Sequence, residues 1–318
     1  MADRHPGPGV SGPLAGVLAI LAGFVAIGAA AGVVGAAVAS RRTDARVSAR
    51  TILGRLFSYA VLAALLAAAA ATGVAGVAVF VTVLGWLGLR EWSDLTDLPG
   101  HHRVALAVAN VVIIAAVALG GAAATEFLVP GIVAAGILWP VIRPDTTRGA
   151  RDLAYAALGC VYLPTMLAHG PALVVERGET GAALFVAFAL ATAASDVGAF
   201  VVGRRFGRAR LAPTLSPGKT WAGVVGNVIG AALALAIMTP ALVDHLPHGV
   251  VAIVLLTPIV AIGAVWGDLF ESAIKREAQV KDAGALLPGF GGILDRIDSF
   301  LLVLPLGFWL LRLVELVP

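Results

Sequence analysis

Residues 250–270 read VVAIVLLTPIVAIGAVWGDLF, and no charged side chain occurs in this stretch before Asp268. A helix needs roughly twenty apolar residues to cross about 30 Å of hydrocarbon. The stretch therefore predicts a transmembrane helix with one carboxylate inside its apolar boundary. Because a carboxylate at membrane depth is costly, it is usually paired with a cation or functional.

The composition of the whole chain agrees with this prediction. Of 318 residues, 59% are hydrophobic and 13% are charged, and the mean hydropathy is +0.96. Soluble domains are typically about half apolar, so these values exclude a soluble globular domain. Long apolar runs recur along the chain, whereas the strands of membrane β-barrels give weaker, alternating patterns. The predicted fold class is an all-α, polytopic integral membrane protein.

About ten transmembrane helices are predicted, and a count of nine stays open. Residues 56–89 are expected to break near Gly73, because thirty-four residues would rise about 51 Å as one helix. A second break is expected at Gly120-Gly121, before Glu126. The predicted spans are residues 13–40, 56–72, 73–89, 104–120, 121–142, 152–169, 181–202, 221–243, 250–270 and 300–316.

Basic residues are divided unevenly between the two sides that these spans define. Nineteen of the 22 Lys and Arg residues fall on one side, and the other side keeps Arg4, Arg177 and Arg312. Loops rich in Lys and Arg stay in the cytoplasm. We therefore expect a multi-pass protein of the cytoplasmic membrane, with both termini outside and its charge-rich loops in the cytoplasm. The first apolar run lacks a convincing cleavage site and is expected to be a retained span.

Polar residues that could carry chemistry concentrate in the last third of the chain. Residues 1–142 are therefore expected to form a scaffold of lipid-facing transmembrane helices. Residues 143–318 are expected to form a catalytic transmembrane region with cytoplasmic loops at 203–220 and 271–299. The single cysteine, Cys160, excludes an intramolecular disulfide and is expected to pack in a helix. The histidines lack the spacing of metal ligands.

The first polar cluster surrounds Asp196, near the inner end of its predicted span. One interpretation is a structural ion pair with Arg204 or Arg205, and the other is a functional carboxylate. Nearby glycines resemble a dinucleotide-binding loop only superficially, because the strand and helix context of such a loop is missing. Asp196 therefore stays a candidate site residue.

The second cluster is LSPGKTWAG at residues 215–223, directly before a predicted span. Ser216 and Thr220 are candidates to cap the following helix, and Pro217 favours its first turn. Free N–H groups at a helix start, next to Lys219, would also suit a phosphate group. A capped helix with a lysine that reaches the membrane interface explains the segment equally well.

The third cluster is WGDLFESAIKRE at residues 266–277. If the helix continues into the cytoplasm, Asp268, Ser272, Lys275 and Arg276 share one of its faces, because they are spaced by three and four residues. This face would carry a carboxylate and a hydroxyl near the membrane, and two cations further out. An ordinary charged stripe on a helix surface is the alternative interpretation.

The fourth cluster is KDAGALLPGFGGILDRIDSF at residues 281–300, before the last span. At a helix start Asp295 and Asp298 point the same way, with Arg296 between them. Glycines in the stretch allow close backbone approach or positive φ. Mg²⁺ takes carboxylate oxygens and often shares them with substrate phosphates, so the aspartates together with Asp268 are candidates for a metal site.

These clusters resemble the motifs of the phosphatidate cytidylyltransferases, also called CDP-diglyceride synthases. The resemblance is specific over residues 195–300 and only topological before them. Its main motif consists of Ser272, Lys275, Arg276, Lys281, Asp282, Leu287, Pro288, Gly289, Gly291, Gly292, Asp295, Arg296 and Asp298. Two further motifs contain Asp196, Gly198, Ala199, Gly203, Phe206 and Gly207, then Ser216, Pro217, Lys219, Thr220, Trp221 and Gly223.

The resemblance implies that phosphatidate and CTP react to give CDP-diacylglycerol and pyrophosphate. It implies Mg²⁺ as the cofactor and leaves open whether a second cation takes part. Asp268 and Asp295 are the first implied metal ligands, followed by Asp298 and Asp196. The implied catalytic residues are Lys219, Lys275, Arg276, Lys281, Asp282 and Arg296. The implied substrate-binding residues are Ser216, Thr220, Ser272, Gly289, Gly291 and Gly292. The expected partners are CTP, phosphatidate or another lipid phosphate, and the bilayer. No nucleic acid is expected, and a homodimer stays open.

Four positions depart from the family pattern. Phe290, Ser195, Gly218 and Ala222 stand where the family usually has His, Asn, Lys and Glu. The absence of the histidine leaves open a cytidylyltransferase that acts on another lipid phosphate, and also an inactive scaffold. An ion-coupled transporter is the alternative from a different class. Such transporters often have matching broken helices in both halves, whereas the polar clusters of this chain have no counterpart in its first half.

Overall fold

Ten helices form most of the chain in the computed structural model, which describes residues 12–40, 49–142, 147–284 and 291–316. The helices are α1 (Pro13–Ser40), α2 (Ala49–Ala71), α3 (Gly73–Leu95), α4 (Gly100–Gly120), α5 (Ala124–Ile142), α6 (Gly149–Cys160), α7 (His169–Phe206), α8 (Trp221–Leu242), α9 (Val250–Glu277) and α10 (Leu294–Glu315). A π-helical turn, Val161–Thr165, continues α6, and a short 3₁₀ helix, Val243–His245, follows α8. The architecture confirms the predicted helical fold class.

Both predicted breaks between early helices occur at glycines with positive φ. Gly73 has a φ of 71° where α2 gives way to α3, and Gly121 has a φ of 76° directly after α4. A residue with a side chain is strained at such a φ, whereas glycine adopts it readily. These two glycines therefore explain why each apolar run forms two helices.

Seven helical stretches among the described residues are long and apolar enough to cross a membrane, and Leu56–Ala71 and Ala124–Gly136 are shorter apolar helices. One of the seven, Gly149–Phe206, contains 58 residues, which would extend about 87 Å as a straight helix. It is interrupted at Gly178, where φ is 56° and ψ is −127°. This stretch contains two of the predicted spans, so each of the ten predicted spans lies on a helix.

A small β-hairpin between α7 and α8 departs from the helical pattern. Strand β1 (Arg210–Ala212) pairs in antiparallel fashion with β2 (Ser216–Thr220). The prediction that Ser216 caps α8 and that Pro217 favours its first turn is wrong, because both residues belong to β2. Thr220 is the cap, since its extended backbone precedes the helix and its hydroxyl accepts a hydrogen bond from the Gly223 N–H at 3.1 Å.

Glycines bring α7 and α8 into backbone contact. A Cβ on Gly198 would lie 2.2 Å from the Gly226 carbonyl oxygen, and a Cβ on Gly226 would lie 2.3 Å from the Gly198 carbonyl oxygen. Small residues of this kind allow transmembrane helices to approach closely. The close approach fixes the hairpin and the start of α8 relative to α7.

Candidate active site

The last two helices meet closely at the end of the bundle where α9 finishes and α10 begins. Gly267 of α9 lies against α10, and a Cβ at this position would be 2.2 Å from the Asp298 carbonyl oxygen. The Ser299 hydroxyl of α10 donates a hydrogen bond to the Ala264 carbonyl of α9 at 3.1 Å. The contact places Asp268, next to Gly267, beside Asp298.

Three acidic side chains converge at this contact. One oxygen each from Asp268, Glu271 and Asp298 lies within 4.8 Å of the other two. Glu271 and Asp298 are buried, and Asp268 is partly exposed. Among the described residues, the Glu271 Oε1 atom is buried without a hydrogen-bond partner. Because buried carboxylates repel one another, this acidic triad suits a hard divalent cation, which prefers several carboxylate oxygens.

Two lysines pair with three acids at this end of the bundle. The Lys219 Nζ atom, at the hairpin end of α8, lies 2.8 Å from Asp268 Oδ2. The Lys275 Nζ atom lies 2.6 Å from Glu271 Oε2 and 2.7 Å from Asp295 Oδ1. Buried charges are stable only when they are paired in this way. The lysines therefore hold these three acids at fixed positions.

Asp295 has different contacts from the three acids of the acidic triad. Besides the contact with Lys275, its Oδ2 atom accepts hydrogen bonds from the Ala283 N–H at 2.9 Å and from the Gly292 N–H at 2.8 Å. The structure thus places Asp295, an expected metal ligand, outside the group of three and next to it. Its contacts connect the segment before α10 to Lys275 of α9.

Asp196 lies close enough to Asp268, Lys219 and Arg296 for electrostatic interaction. Its side chain is exposed on α7. The surroundings of Asp196 therefore connect it to the charged end of the bundle, although it is not a member of the acidic triad.

Two other predicted residues contact the same end of the bundle. The Ser272 hydroxyl donates to Asp268 Oδ1 at 3.2 Å, which confirms that these residues share one face of α9. Arg276 donates from Nε to the Leu215 carbonyl at 3.2 Å and connects α9 to the β-hairpin. The structure therefore gives the Arg276 side chain a contact with the protein backbone.

Several further predicted residues belong to the stretch before α10 or to its first turn. Lys281, Asp282 and Arg296 are exposed. Gly291 has a φ of 86°, so the expectation of positive φ in this stretch is confirmed. The other predicted residues of the stretch, Leu287, Pro288, Gly289 and Phe290, lie outside the described part of the chain.

Glu271 was missed by the sequence interpretation, although a signal for it exists. It lies three residues after Asp268 and four before Lys275, so all three share a helical face. The structure shows that Glu271 contributes to the acidic triad and binds Lys275.

Tyr162 is the second residue that sequence analysis missed. It lies in the π-helical turn, is 2% exposed, and its hydroxyl has no hydrogen-bond partner among the described residues. Asp268, Glu271 and Asp298 are all within electrostatic range of this hydroxyl. No local pattern connects a tyrosine in this turn with acids more than a hundred residues later.

These features define a polytopic helical membrane protein with carboxylates and lysines gathered at one end. The model of the cytidylyltransferase family matches residues 53–314. The match covers most of the chain, so the protein belongs to this family. The match also includes α2 to α6, for which the sequence motifs gave only a topological resemblance.

Several curated relatives are described as phosphatidate cytidylyltransferases. The Bacillus subtilis protein is 45% identical over 119 residues, which are 37% of this chain and 44% of the relative. The Mycobacterium bovis protein is 33% identical over 183 residues, 54% of this chain and 58% of the relative. The Thermotoga maritima protein is 31% identical over 184 residues, 57% of this chain and 67% of the relative. The chain spans about half the length of the curated relatives it matches.

Proposed function

We propose that this protein transfers a cytidylyl group from CTP to phosphatidate, which gives CDP-diacylglycerol and pyrophosphate. The observation that carries the proposal is the acidic triad of Asp268, Glu271 and Asp298, bordered by Lys219 and Lys275 at one end of a membrane bundle. The names of the relatives support the choice of substrates.

In the proposed reaction, a phosphate oxygen of phosphatidate attacks the α-phosphorus of CTP. The bond from this phosphorus to the oxygen that bridges to the β-phosphate breaks, and pyrophosphate leaves with the electron pair. The attacking oxygen is already ionised, so the reaction needs no base from the protein. Catalysis then depends on alignment and on stabilising charge at the phosphates.

The acidic triad has the donors that Mg²⁺ requires, because three carboxylates converge and the Glu271 Oε1 atom is buried without a partner among the described residues. Asp268, Glu271 and Asp298 would hold the ion. When bound, Mg²⁺ neutralises charge on the CTP phosphates. Lys219 and Lys275 hold Asp268 and Glu271 in place by ion pairs, and they contribute positive charge near the same phosphates.

In this proposal Asp295 holds Lys275 in place by an ion pair. Asp196 lies outside the acidic triad, near Lys219. The exposed cations Lys281 and Arg296 lie near the start of α10, and we assign them to the pyrophosphate part of CTP. Ser272 holds Asp268 by its hydrogen bond. This arrangement changes the expected order of the metal ligands, because Glu271 and Asp298 take precedence over Asp295.

We also propose that this site faces the cytoplasm, because nearly all basic residues lie on its side of the predicted layout. The only cysteine, Cys160, is buried. A single cysteine introduced at an exposed position can therefore report the orientation of the protein in the membrane. A membrane-impermeant maleimide added to intact spheroplasts should label Asp244→Cys, at the opposite end of α8, and not Arg208→Cys. The reverse labelling pattern would contradict the orientation.

The reaction is tested with purified protein in detergent, phosphatidate, Mg²⁺ and CTP labelled at the α-phosphate. We expect a labelled CDP-lipid, and a loss of about a hundredfold or more in Asp268→Asn. Asp244→Asn is the matched control, because this aspartate is exposed at the other end of the bundle. Full turnover by Asp268→Asn would refute the assigned site.

The acceptor is tested with a panel of lipid phosphates that share the same acyl chains. Phosphatidate is the expected best acceptor, and faster turnover with another lipid phosphate would correct the substrate. Ion or solute flux in liposomes, without nucleotide transfer to any lipid of the panel, would favour a transporter and refute the proposed reaction.

A further inference from the structure

Glu91 of α3 reaches across the bundle to the start of α10. It is buried, with 5% of its surface exposed. Its Oε1 atom accepts a hydrogen bond from the Ile293 N–H at 3.0 Å, and its Oε2 atom accepts one from the Leu294 N–H at 2.8 Å. The first N–H groups of a helix have no partner within the helix, and a carboxylate stabilises the positive end of the helix dipole. Glu91 therefore caps α10 from a distant helix.

The glycines on both sides of residues 285–290 also contact Glu91. A Cβ on Gly284 would lie 2.4 Å from Glu91 Oε1, and a Cβ on Gly292 would lie 2.4 Å from Glu91 Oε2. Only glycine allows the backbone this close to the carboxylate. One side chain thus fixes the position of two points that are separated by eight residues in the sequence.

The segment that Glu91 holds is also the segment that holds Asp295. The Gly292 and Ala283 N–H groups donate to Asp295, and Asp295 binds Lys275. Asp298 lies one helical turn after the capped residues. The position of Glu91 therefore affects both the lysine and one carboxylate of the acidic triad.

We propose that Glu91 is a positioning residue for the cytidylyl transfer, an inference that rests on the proposed function. It acts through the start of α10 and the residues next to it, and it does not touch the substrates. The N-terminal helices then contribute to the active site through α3, in addition to spanning the membrane.

Glu91→Gln is the most informative variant, because it keeps the size of the side chain and replaces one acceptor oxygen with an NH₂ group. Facing two N–H donors, the amide can accept from only one of them. Glu91→Asp keeps both acceptor oxygens but withdraws them by one methylene. Glu126→Gln is the matched control, since Glu126 is an exposed carboxylate in the first turn of α5.

Hydrogen exchange followed by mass spectrometry measures the contact directly. In Glu91→Gln, exchange in a peptide that covers residues 291–296 should rise about tenfold, because a hydrogen bond to a charged group is lost. Peptides from α7 and α8 and the whole Glu126→Gln variant should exchange as in the wild type. Unchanged exchange at residues 291–296, or an equal rise in every helix, would overturn the proposal.

The Mg²⁺ concentration for half-maximal activity provides the functional measurement. A smaller folded fraction lowers the rate but does not move this concentration, so a merely structural role leaves it constant. We expect a rise of at least about fivefold in Glu91→Gln, because Asp298 is displaced, and a smaller rise in Glu91→Asp. A wild-type value in both variants would refute the positioning role.

Failure of this inference is separable from failure of the proposed function. If the wild type transfers no cytidylyl group, the proposed function is wrong, and the exchange measurement still tests the contact between Glu91 and α10. If the wild type is active and Glu91→Gln has the same activity and Mg²⁺ response, only the role of Glu91 is wrong. If Glu91→Gln does not accumulate in membranes, hydrogen exchange and the Mg²⁺ response are both measured on Glu91→Asp.

Discussion

The first and the last helix of the bundle use the same kind of apolar sequence differently. Of the most apolar stretch in α1, 11% is buried inside the protein, whereas the value for α10 is 61%. Outside α1 itself, no atom of the described residues lies within 4 Å of a Cβ added to Gly23 or Gly28, but Gly267 of α9 is in backbone contact with α10. Within the described part of the chain, α1 therefore leaves most of its apolar surface outside the protein interior, whereas α10 is packed against protein that holds its charges.

Hydrophobicity places a helix in the membrane but does not determine its role. Both α1 and α10 qualify as membrane spans. What separates them is buried polar side chains, because α10 contains the buried Asp298 and Ser299, whereas α1 contains no charged residue. Substitutions in α1 and at the contact between α9 and α10 test this difference.

Lys275→Met should have the largest effect. It leaves the buried acids Glu271 and Asp295 without their cation, which typically costs about 3–5 kcal/mol, and it removes positive charge from the site. We expect activity to fall by at least about a hundredfold and the thermal midpoint in detergent to fall clearly. Both are measured on the purified variant.

Lys275→Met combined with Glu271→Gln separates stability from catalysis. Removing the charge of Glu271 relieves the unpaired acid, so the thermal midpoint should recover in part while activity stays lost. Recovery of activity in the double variant would contradict the role given to this pair.

Gly267→Ala should have an intermediate effect. The new methyl group would clash with the Asp298 carbonyl and separate α9 from α10, and overpacking typically costs about 1–3 kcal/mol. The thermal midpoint in detergent should fall, and activity should fall with it because Asp268 and Asp298 move apart.

Gly28→Ala is the matched substitution in α1. Its Cβ meets open space, and alanine favours helix over glycine, so stability and activity should stay at wild-type values or rise slightly. Equal destabilisation by the two alanines would show that the contrast between α1 and α10 is wrong.

Thr220→Ala should destabilise the protein less than Gly267→Ala. It removes the hydroxyl that caps α8, a loss that typically costs about 1 kcal/mol. Thr220→Ser keeps the cap and should behave as the wild type. The thermal midpoints of both variants check this prediction, and equal loss in both would show that the methyl group, and not the cap, is important.

Local chemistry explains which parts of the fold were predictable. The helices follow from apolar runs, and the breaks at Gly73 and Gly121 follow from the freedom of glycine to adopt positive φ. The β-hairpin was not expected, because Ser216 and Pro217 suit a helix start as well as a strand. Their assignment depends on the pairing of β2 with β1, which is a contact beyond the local sequence.

The candidate site was predictable to the extent that its residues share a helix. Asp268, Ser272 and Lys275 have helical spacing, so their common face could be read from the sequence. The separation of Asp295 from Asp298 could not, because it depends on backbone donors from residues 283 and 292. Glu91 and Tyr162 reach the site only through tertiary packing, which no local pattern encodes.

The central claim is that the acidic triad binds the divalent cation of the reaction. Mn²⁺ can replace Mg²⁺ on carboxylates, and electron paramagnetic resonance distinguishes free from bound Mn²⁺. The titration uses purified protein with CTP and no lipid acceptor, so no turnover occurs. We expect Mn²⁺ to bind wild type and Asp244→Asn equally, and Glu271→Gln at least about tenfold more weakly. Wild-type affinity in Glu271→Gln would contradict the claim.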